Sequence, residues 1–199
     1  MDASELARRF EEEALPRIRR MVSETERFLY LIAWLNTTLE REGLGRVVIV
    51  GGFAVEVLTG STYRTFDVDI VVEGGGAREL VEGFLAEISK PRRGRVFLPR
   101  LRALASKGID IVGTSYDRPK PPIRVRVDGL RAYVEACEEL ILTYLSAWKF
   151  WESLEDRDKV YALVAVHWGR IDRSYVVERA REEGVHDLLV KVLRDLSYG

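Results

Sequence analysis

Hydrophobic positions along the chain change texture twice. Between Ser4 and about Arg20, and again from Glu24 to about Glu42, apolar residues recur at intervals of three and four. In the second stretch Phe28, Leu31, Ile32, Leu35 and Leu39 form one stripe, and Gly43 follows as a stop. That period belongs to the helix, so two helices are predicted, broken near Pro16 or Ser23. From Arg46 short continuous apolar runs take over. Val47-Val-Ile-Val50 reads as a buried strand, Gly51-Gly52 as a turn, and Phe53–Leu58 as a short helix ending near Gly60. Phe66-Asp-Val-Asp-Ile-Val-Val72 reads as a second strand, stopped by Gly74-Gly-Gly76. Ala77–Ile88 returns to helix, with Leu80, Val81, Phe84, Leu85 and Ile88 on one face. Gly108–Gly113 and Ile123–Val127 are strand candidates separated by a turn around Pro119, Pro121 and Pro122. Asp128-Gly129 looks like a turn ending the last strand, and beyond it the chain reads as helix to its end, broken near 169–172 and at Gly184. The pattern predicts an α/β (α+β) fold: helices over 1–44, a small α/β core over 45–130, and a C-terminal helical lobe over 131–199.

Composition narrows the class. Over 199 residues, 47% hydrophobic and 32% charged is enough to bury a core under a solvated surface, which excludes a disordered or collagen-like chain. The 31 basic residues against 32 acidic leave a net charge of −1, which argues against nonspecific coating of nucleic acid while leaving a local basic patch open. The longest apolar runs fall far short of the ~20 residues of a bilayer span, and Met1-Asp-Ala-Ser-Glu5 has neither the basic nor the apolar region of a signal peptide. No membrane contact and a cytoplasmic location are expected. Cys137 alone can form no intramolecular disulfide, and with only His167 and His186 beside it no zinc site is expected. Asn36 is the sole asparagine and glutamine is absent, a composition that leans toward a thermophile.

Chemistry concentrates between Val48 and Ile70. A strand that ends in Gly51-Gly52 and opens a helix lets the backbone approach a ligand closely and aims free N–H groups at it, as a phosphate cradle does. On the next strand side chains alternate, so Asp67 and Asp69 project together while Val68 and Ile70 point into the core. Two carboxylates in one small space are costly to ionise together unless a cation sits between them, and hard oxygen donors suit Mg²⁺.

These residues resemble the polymerase-beta-like nucleotidyltransferases, whose signature is a hydrophobic strand, Gly-Gly or Gly-Ser, about a dozen residues, then Asp-x-Asp. Here fourteen residues separate Gly51-Gly52 from Asp67-Val-Asp69. The form Gly-Gly-Phe-Ala-Val with Arg64-Thr-Phe-Asp-Val-Asp69 looks like two branches in particular, the aminoglycoside and lincosamide adenylyltransferases and the abortive-infection type toxins. The likeness covers Val47–Glu73. The resemblance implies a nucleotidyltransferase-type fold, a small mixed sheet with flanking helices and a C-terminal helical lobe closing one side of a cleft, and Mg²⁺-dependent transfer of a nucleoside monophosphate from an NTP to an acceptor hydroxyl or phosphate. It implies two Mg²⁺ ions held by Asp67 and Asp69 with a third carboxylate, and Gly51 and Gly52 against the nucleotide. For the third carboxylate Asp110, Asp117 and Asp128 compete. Asp110 is preferred because Gly108-Ile-Asp-Ile-Val112 is strand-like, whereas the other two sit in turn compositions. Lys149 followed by Asp156-Arg157-Asp158 is similar to the elements with which the toxin branch holds a triphosphate, although Tyr161 stands where an acid is usual. Arg64 is a further candidate for the nucleotide or acceptor.

Each signal also has a plainer reading. An Asp-x-Asp can be a solvated edge, Gly-Gly a tight turn, Lys149 a solvated helix residue, and Arg64 the partner of a surface acid. Tyr144, Trp148 and Trp151 fall at helical spacing and are read as core rather than as a base-stacking platform. His167 and His186 are read as structural or surface residues, and Cys137 as a buried small apolar residue. From Lys90 to Lys107 there is no acid, while Arg92, Arg93, Arg95, Arg100 and Arg102 intervene. That run is either a solvated loop or a field attracting a polyanionic acceptor such as RNA or tRNA. The alternative to an enzyme is a noncatalytic nucleotide-binding or toxin–antitoxin-like partner module. The acceptor, the base and any homo-oligomer are left open by the sequence.

Overall fold

The computed structural model describes residues 1–90 and 94–198, which form two compact units. The first comprises residues 1–54, 65–117 and 122–134; the second comprises 55–64, 118–121 and 135–199.

The first unit is built on a five-stranded mixed sheet. Its strands are β1 (Arg46–Val50), β2 (Asp67–Glu73), β3 (Gly108–Gly113), β4 (Ile123–Val127) and β5 (Leu130–Val134), in the order β3-β2-β1-β5-β4. β1 runs antiparallel to β2 and parallel to β5, β2 is parallel to β3, and β4 and β5 form an antiparallel hairpin. A parallel pair needs a crossover, and α5 (Ala77–Ile88) supplies it between β2 and β3. The strand β5 corrects the expectation of helix beyond Gly129. Asp128 and Gly129 both take positive φ (48° and 80°), the backbone of a tight hairpin turn, so the chain reverses and pairs with β4 instead of coiling.

Helices α1 (Ala3–Glu13), α2 (Leu15–Ile18) and α3 (Glu24–Arg41) precede the sheet. The chain breaks both near Pro16 and at Ser23, giving three helices where two were expected: Pro16 has no N–H to give and is tolerated only in a helix's first turn, so α2 restarts one residue before it. Ser23 caps α3 by accepting from the Glu26 N–H. Phe10 of α1 meets Trp34 of α3 (5.4 Å) and Phe84 of α5 (5.5 Å) edge-on, which knits the three helices into one core.

The sole asparagine is a buried joint in that unit. The side-chain amide of Asn36 donates to the Arg131 carbonyl of β5 (2.9 Å), and its oxygen accepts from the Val47 N–H of β1 (2.9 Å). Asn36→Ala strands the buried Val47 N–H and removes one donor from the Arg131 carbonyl, which keeps Thr37 Oγ1 at 3.5 Å, so urea unfolding is expected to show a loss of about 1–3 kcal/mol.

The second unit is helical: α6 (Cys137–Trp151), α7 (Leu154–His167), α8 (Arg173–Glu182) and α9 (His186–Asp195), together with the end of α4 (Gly51–Leu58), which begins in the first unit. The breaks fall near 169–172 and at Gly184 as expected. A further one at Glu152, a residue with φ 53°, lets Ser153 cap α7. Leu140, Ile141, Leu145, Val160, Leu163, Val164 and Val176 make its core. His167 is structural, its Nε2 lying 2.8 Å from the Leu58 carbonyl oxygen. Cys137 is buried, and burial pushes its thiol up to about 12. Tyr144 is buried and Trp148 half-buried, but Trp151 is 83% exposed. The expectation of a core Trp151 is thus corrected: it is the last residue of α6, just before the left-handed turn at Glu152. Among the described residues no helix is long and apolar enough to cross a membrane.

Candidate active site

The alternation along β2 is the one the sequence predicts. Val68 and Ile70 are fully buried, while Asp67 is exposed and Asp69 half-exposed. In the parallel pair β2–β3 Asp69 stands opposite Asp110, and Asp67 opposite Gly108, so the three carboxyl-bearing positions share one face of the sheet. Gly108 keeps that face open, since a Cβ there would lie 3.1 Å from Asp67 Oδ1 and against Val96.

Gly51 opens α4 with φ 64°, and a Cβ built on it would stand 2.9 Å from Asp69 Oδ2. Only glycine accepts both that backbone and that approach. Gly52 lies against Thr65, where a Cβ would come 3.0 Å from Oγ1. The first turn of α4, with its N–H groups lacking intrahelical partners, is therefore brought to the side chains that flank Asp67.

The approach to β2 is anchored by Lys107, which the sequence groups with the basic run. It is buried: its ammonium donates to the Thr65 carbonyl, pairs with Glu24 (3.2 Å) and lies 5.7 Å from the Phe53 ring centroid. Thr65 Oγ1 in turn faces the Asp67 N–H at 3.5 Å. Lys107 is thus corrected from a surface cation to an internal tie between α3, α4 and the residues before Asp67. A lone lysine with Gly108 and a strand after it was the available signal, and it does not reveal partners so distant in sequence. Of the rest of the run, Lys90, Arg95, Arg100 and Arg102 are exposed, and Arg92 and Arg93 lie outside the described residues.

Asp110 is mostly covered, and its carboxylate accepts from Arg95 (3.2 Å). Asp117 accepts from Ser115 in a turn, and Asp128 pairs with Arg17 at 2.6 Å in the β4–β5 turn. The donor set at Asp67 and Asp69 suits a hard cation, for two carboxylates share a strand face beside a backbone cradle that a Cβ would fill. Among the described residues no group of three or more His, Cys, Asp or Glu side chains is arranged to hold a metal ion. At Asp110 the Arg95 guanidinium already answers the carboxylate's charge.

The remaining candidates belong to the second unit. The Arg64 guanidinium is 3.9 Å from the buried Glu56 carboxylate. Lys149 donates to Asp187 (2.6 Å) and to the Gly184 carbonyl (2.7 Å), and its bond to Asp187 holds that carboxyl below the usual range. Arg157 donates to its neighbour Asp158 and lines a cleft with Tyr161, Lys191 and Asp195. The second unit also holds a buried cation that no sequence motif marks: the Lys159 ammonium sits over the rings of Tyr144 (4.6 Å) and Tyr63 (5.3 Å) and bonds to Asp156. Tyr63, half-buried and donating to Glu155, has its phenol pushed up.

The fold so described is nucleotidyltransferase-like. A crystal structure of an antigenic nucleotidyltransferase-like protein from Paracoccidioides brasiliensis is similar over 88% of this chain and 91% of that one, with a TM-score of 0.56 and 16% identity. The solution structure of the antibiotic-resistance factor ANT(2'')-Ia is a more distant likeness, over 84% of this chain and 94% of that one, with a TM-score of 0.44 and 14% identity. At such identities the first likeness shows the fold and nothing finer. Neither a protein-family model nor a curated protein sequence matches the chain.

Proposed function

We propose that the protein transfers a nucleoside monophosphate from an NTP to an acceptor. The observation that carries this reading is the placement of Asp67 and Asp69 on one face of β2, with the glycine-opened start of α4 against the Asp69 carboxylate. In the proposed reaction the acceptor oxygen forms a bond to the α-phosphorus, the bond between the α-phosphorus and the bridging oxygen breaks, and pyrophosphate leaves. The proton of an acceptor hydroxyl goes to a nearby base. Asp67 and Asp69 are the residues to hold Mg²⁺, which when bound would neutralise charge on the phosphates and polarise the acceptor oxygen. The backbone of Gly51 and Gly52 would cradle the phosphates. Asp110, on the same face, is the proposed third carboxylate, released by Arg95 when the site fills. Lys149 and Arg157 are proposed to meet the triphosphate and Arg64 the nucleotide or acceptor. A basic run that attracts RNA or tRNA is kept as the proposed acceptor surface.

Incubation with labelled ATP, CTP, GTP and UTP, Mg²⁺ and cell extract tests the reading; label transferred to an acceptor supports it. Under it, Asp110→Ala lowers transfer by about a hundredfold while Asp117→Ala and Asp128→Ala stay near wild type. The Arg95–Asp110 pair favours a second reading, a module that binds nucleotide without turnover. Tight Mg²⁺-independent binding with no label transferred would select it.

A further inference from the structure

A cleft of about 500 Å³ in the first unit is lined by Leu15 of α2 and Arg19 just after it, Arg27 of α3, and Leu101, Arg102 and Ala103 at a short 3₁₀ turn. Among the described residues its lining includes neither Asp67 nor Asp69, and of the basic run it takes Arg102.

Among the described residues three arginines line this cleft and no acid does. Elsewhere in the same unit Arg9 is matched to Glu13 and Glu42, Arg17 to Asp128, Arg46 to Glu73, Arg78 to Glu82 and Arg131 to Glu40, while Arg20, Arg41, Arg100, Arg124 and Arg126 make no ion pair among the described residues; what sets the cleft apart is that three arginines line one concavity. Among the described residues Arg19, Arg27 and Arg102 make no ion pair; Arg27 donates through Nε to the Met21 carbonyl (2.9 Å), a bond that fixes its stem. Three like charges around one concavity repel one another, and in a chain of net charge −1 acids were plentiful enough to neutralise them. An anion in the cleft removes that cost.

The chemistry of the lining narrows the anion. A guanidinium presents a planar fork of donors that matches phosphate oxygens pairwise, and it stays charged at any physiological pH. Leu15, Leu101 and Ala103 add an apolar wall. A volume of this order suits a small molecule rather than a length of polymer, and among the described residues the lining holds no aromatic ring for a base of single-stranded RNA to stack on. We propose that this cleft binds a small phosphorylated molecule, with its phosphate on Arg19, Arg27 and Arg102 and a compact apolar body against Leu15 and Leu101.

Isothermal titration of the full chain without divalent cations, at fixed ionic strength, tests this with four probes: phenyl phosphate, inorganic phosphate, phenol and a 20-nucleotide RNA. Phenyl phosphate is expected to bind one to one and about tenfold more tightly than either phosphate or phenol. Arg19→Gln and Arg102→Gln, both at exposed positions and therefore compatible with folding, should each weaken it about tenfold. Asp67→Asn should leave it unchanged, which separates this cleft from the candidate active site. Arg102→Lys, which keeps charge but loses the fork, should bind more weakly than wild type and serves if a glutamine variant fails to fold. No saturation by phenyl phosphate up to ~10 mM would overturn the proposal, as would equal affinity in wild type and both glutamine variants. RNA binding that loses affinity in those variants, with phenyl phosphate not bound, would assign the arginines to a polyanion surface instead.

Discussion

Asp67→Asn and Asp69→Asn are each expected to lower nucleotidyl transfer by about a hundredfold or more while the protein stays folded. The two side chains stand on one face of β2 outside the core, and Asn differs from Asp by an amide in place of an oxygen, so packing is untouched. What changes is the charge that would hold Mg²⁺ and, through it, the phosphates, and the loss of a metal ligand costs several kcal/mol in the transition state, roughly a hundredfold or more in rate. Thermal unfolding should move little, and upward if at all, because two carboxylates sharing a face repel until a cation joins them. The measurement is transfer of labelled nucleotide, run beside Mn²⁺ binding read by electron paramagnetic resonance. Both variants keeping more than about a tenth of wild-type turnover would count against these residues as the metal's ligands.

Gly51→Ala should be nearly as damaging to transfer, for a different reason. With φ at 64° any Cβ is strained, which costs about 1–2 kcal/mol of stability. The new methyl would also stand 2.9 Å from Asp69 Oδ2. Since that oxygen is the end of a side chain, the clash relaxes cheaply, but it relaxes by moving the carboxylate that the chemistry needs. A displacement of a few tenths of an ångström to one ångström at a reacting centre costs roughly tenfold to a hundredfold in rate. Gly60→Ala is the control: φ there is 62° and nothing lies within 4 Å of a built Cβ. It should lose similar stability in urea and keep its activity. Equal transfer by the two variants would separate Gly51 from the site.

Periodicity and punctuation made much of this fold legible. The helix Ala77–Ile88 and the strands Gly108–Gly113 and Ile123–Val127 lie where their spacing places them, because an amphipathic face and a flanking glycine or proline act over a few residues. The failures are equally local in cause. Leu130–Val134 carries no decisive period, and its state was settled by the reversal at Asp128-Gly129 and by the open edge of β1 that it pairs with. The break at Glu152 depends on which of several residues in a row gives way.

For the candidate site the division is sharper. That Asp67 and Asp69 share a face, and that Gly51-Gly52 end a strand, could be read from the residues alone, since both follow from the two-residue repeat of a strand and from what glycine permits. Folding in three dimensions was needed to bring Gly51 against Asp69, to set Asp110 in register with Asp69 yet bonded to Arg95, and to bury Lys107 against Glu24, Thr65 and Phe53. Those pairings join residues fifteen to more than eighty positions apart. A charged side chain reads the same in sequence whether it faces water or a partner; which of the two it meets is settled by the packing of α3, α4 and the sheet.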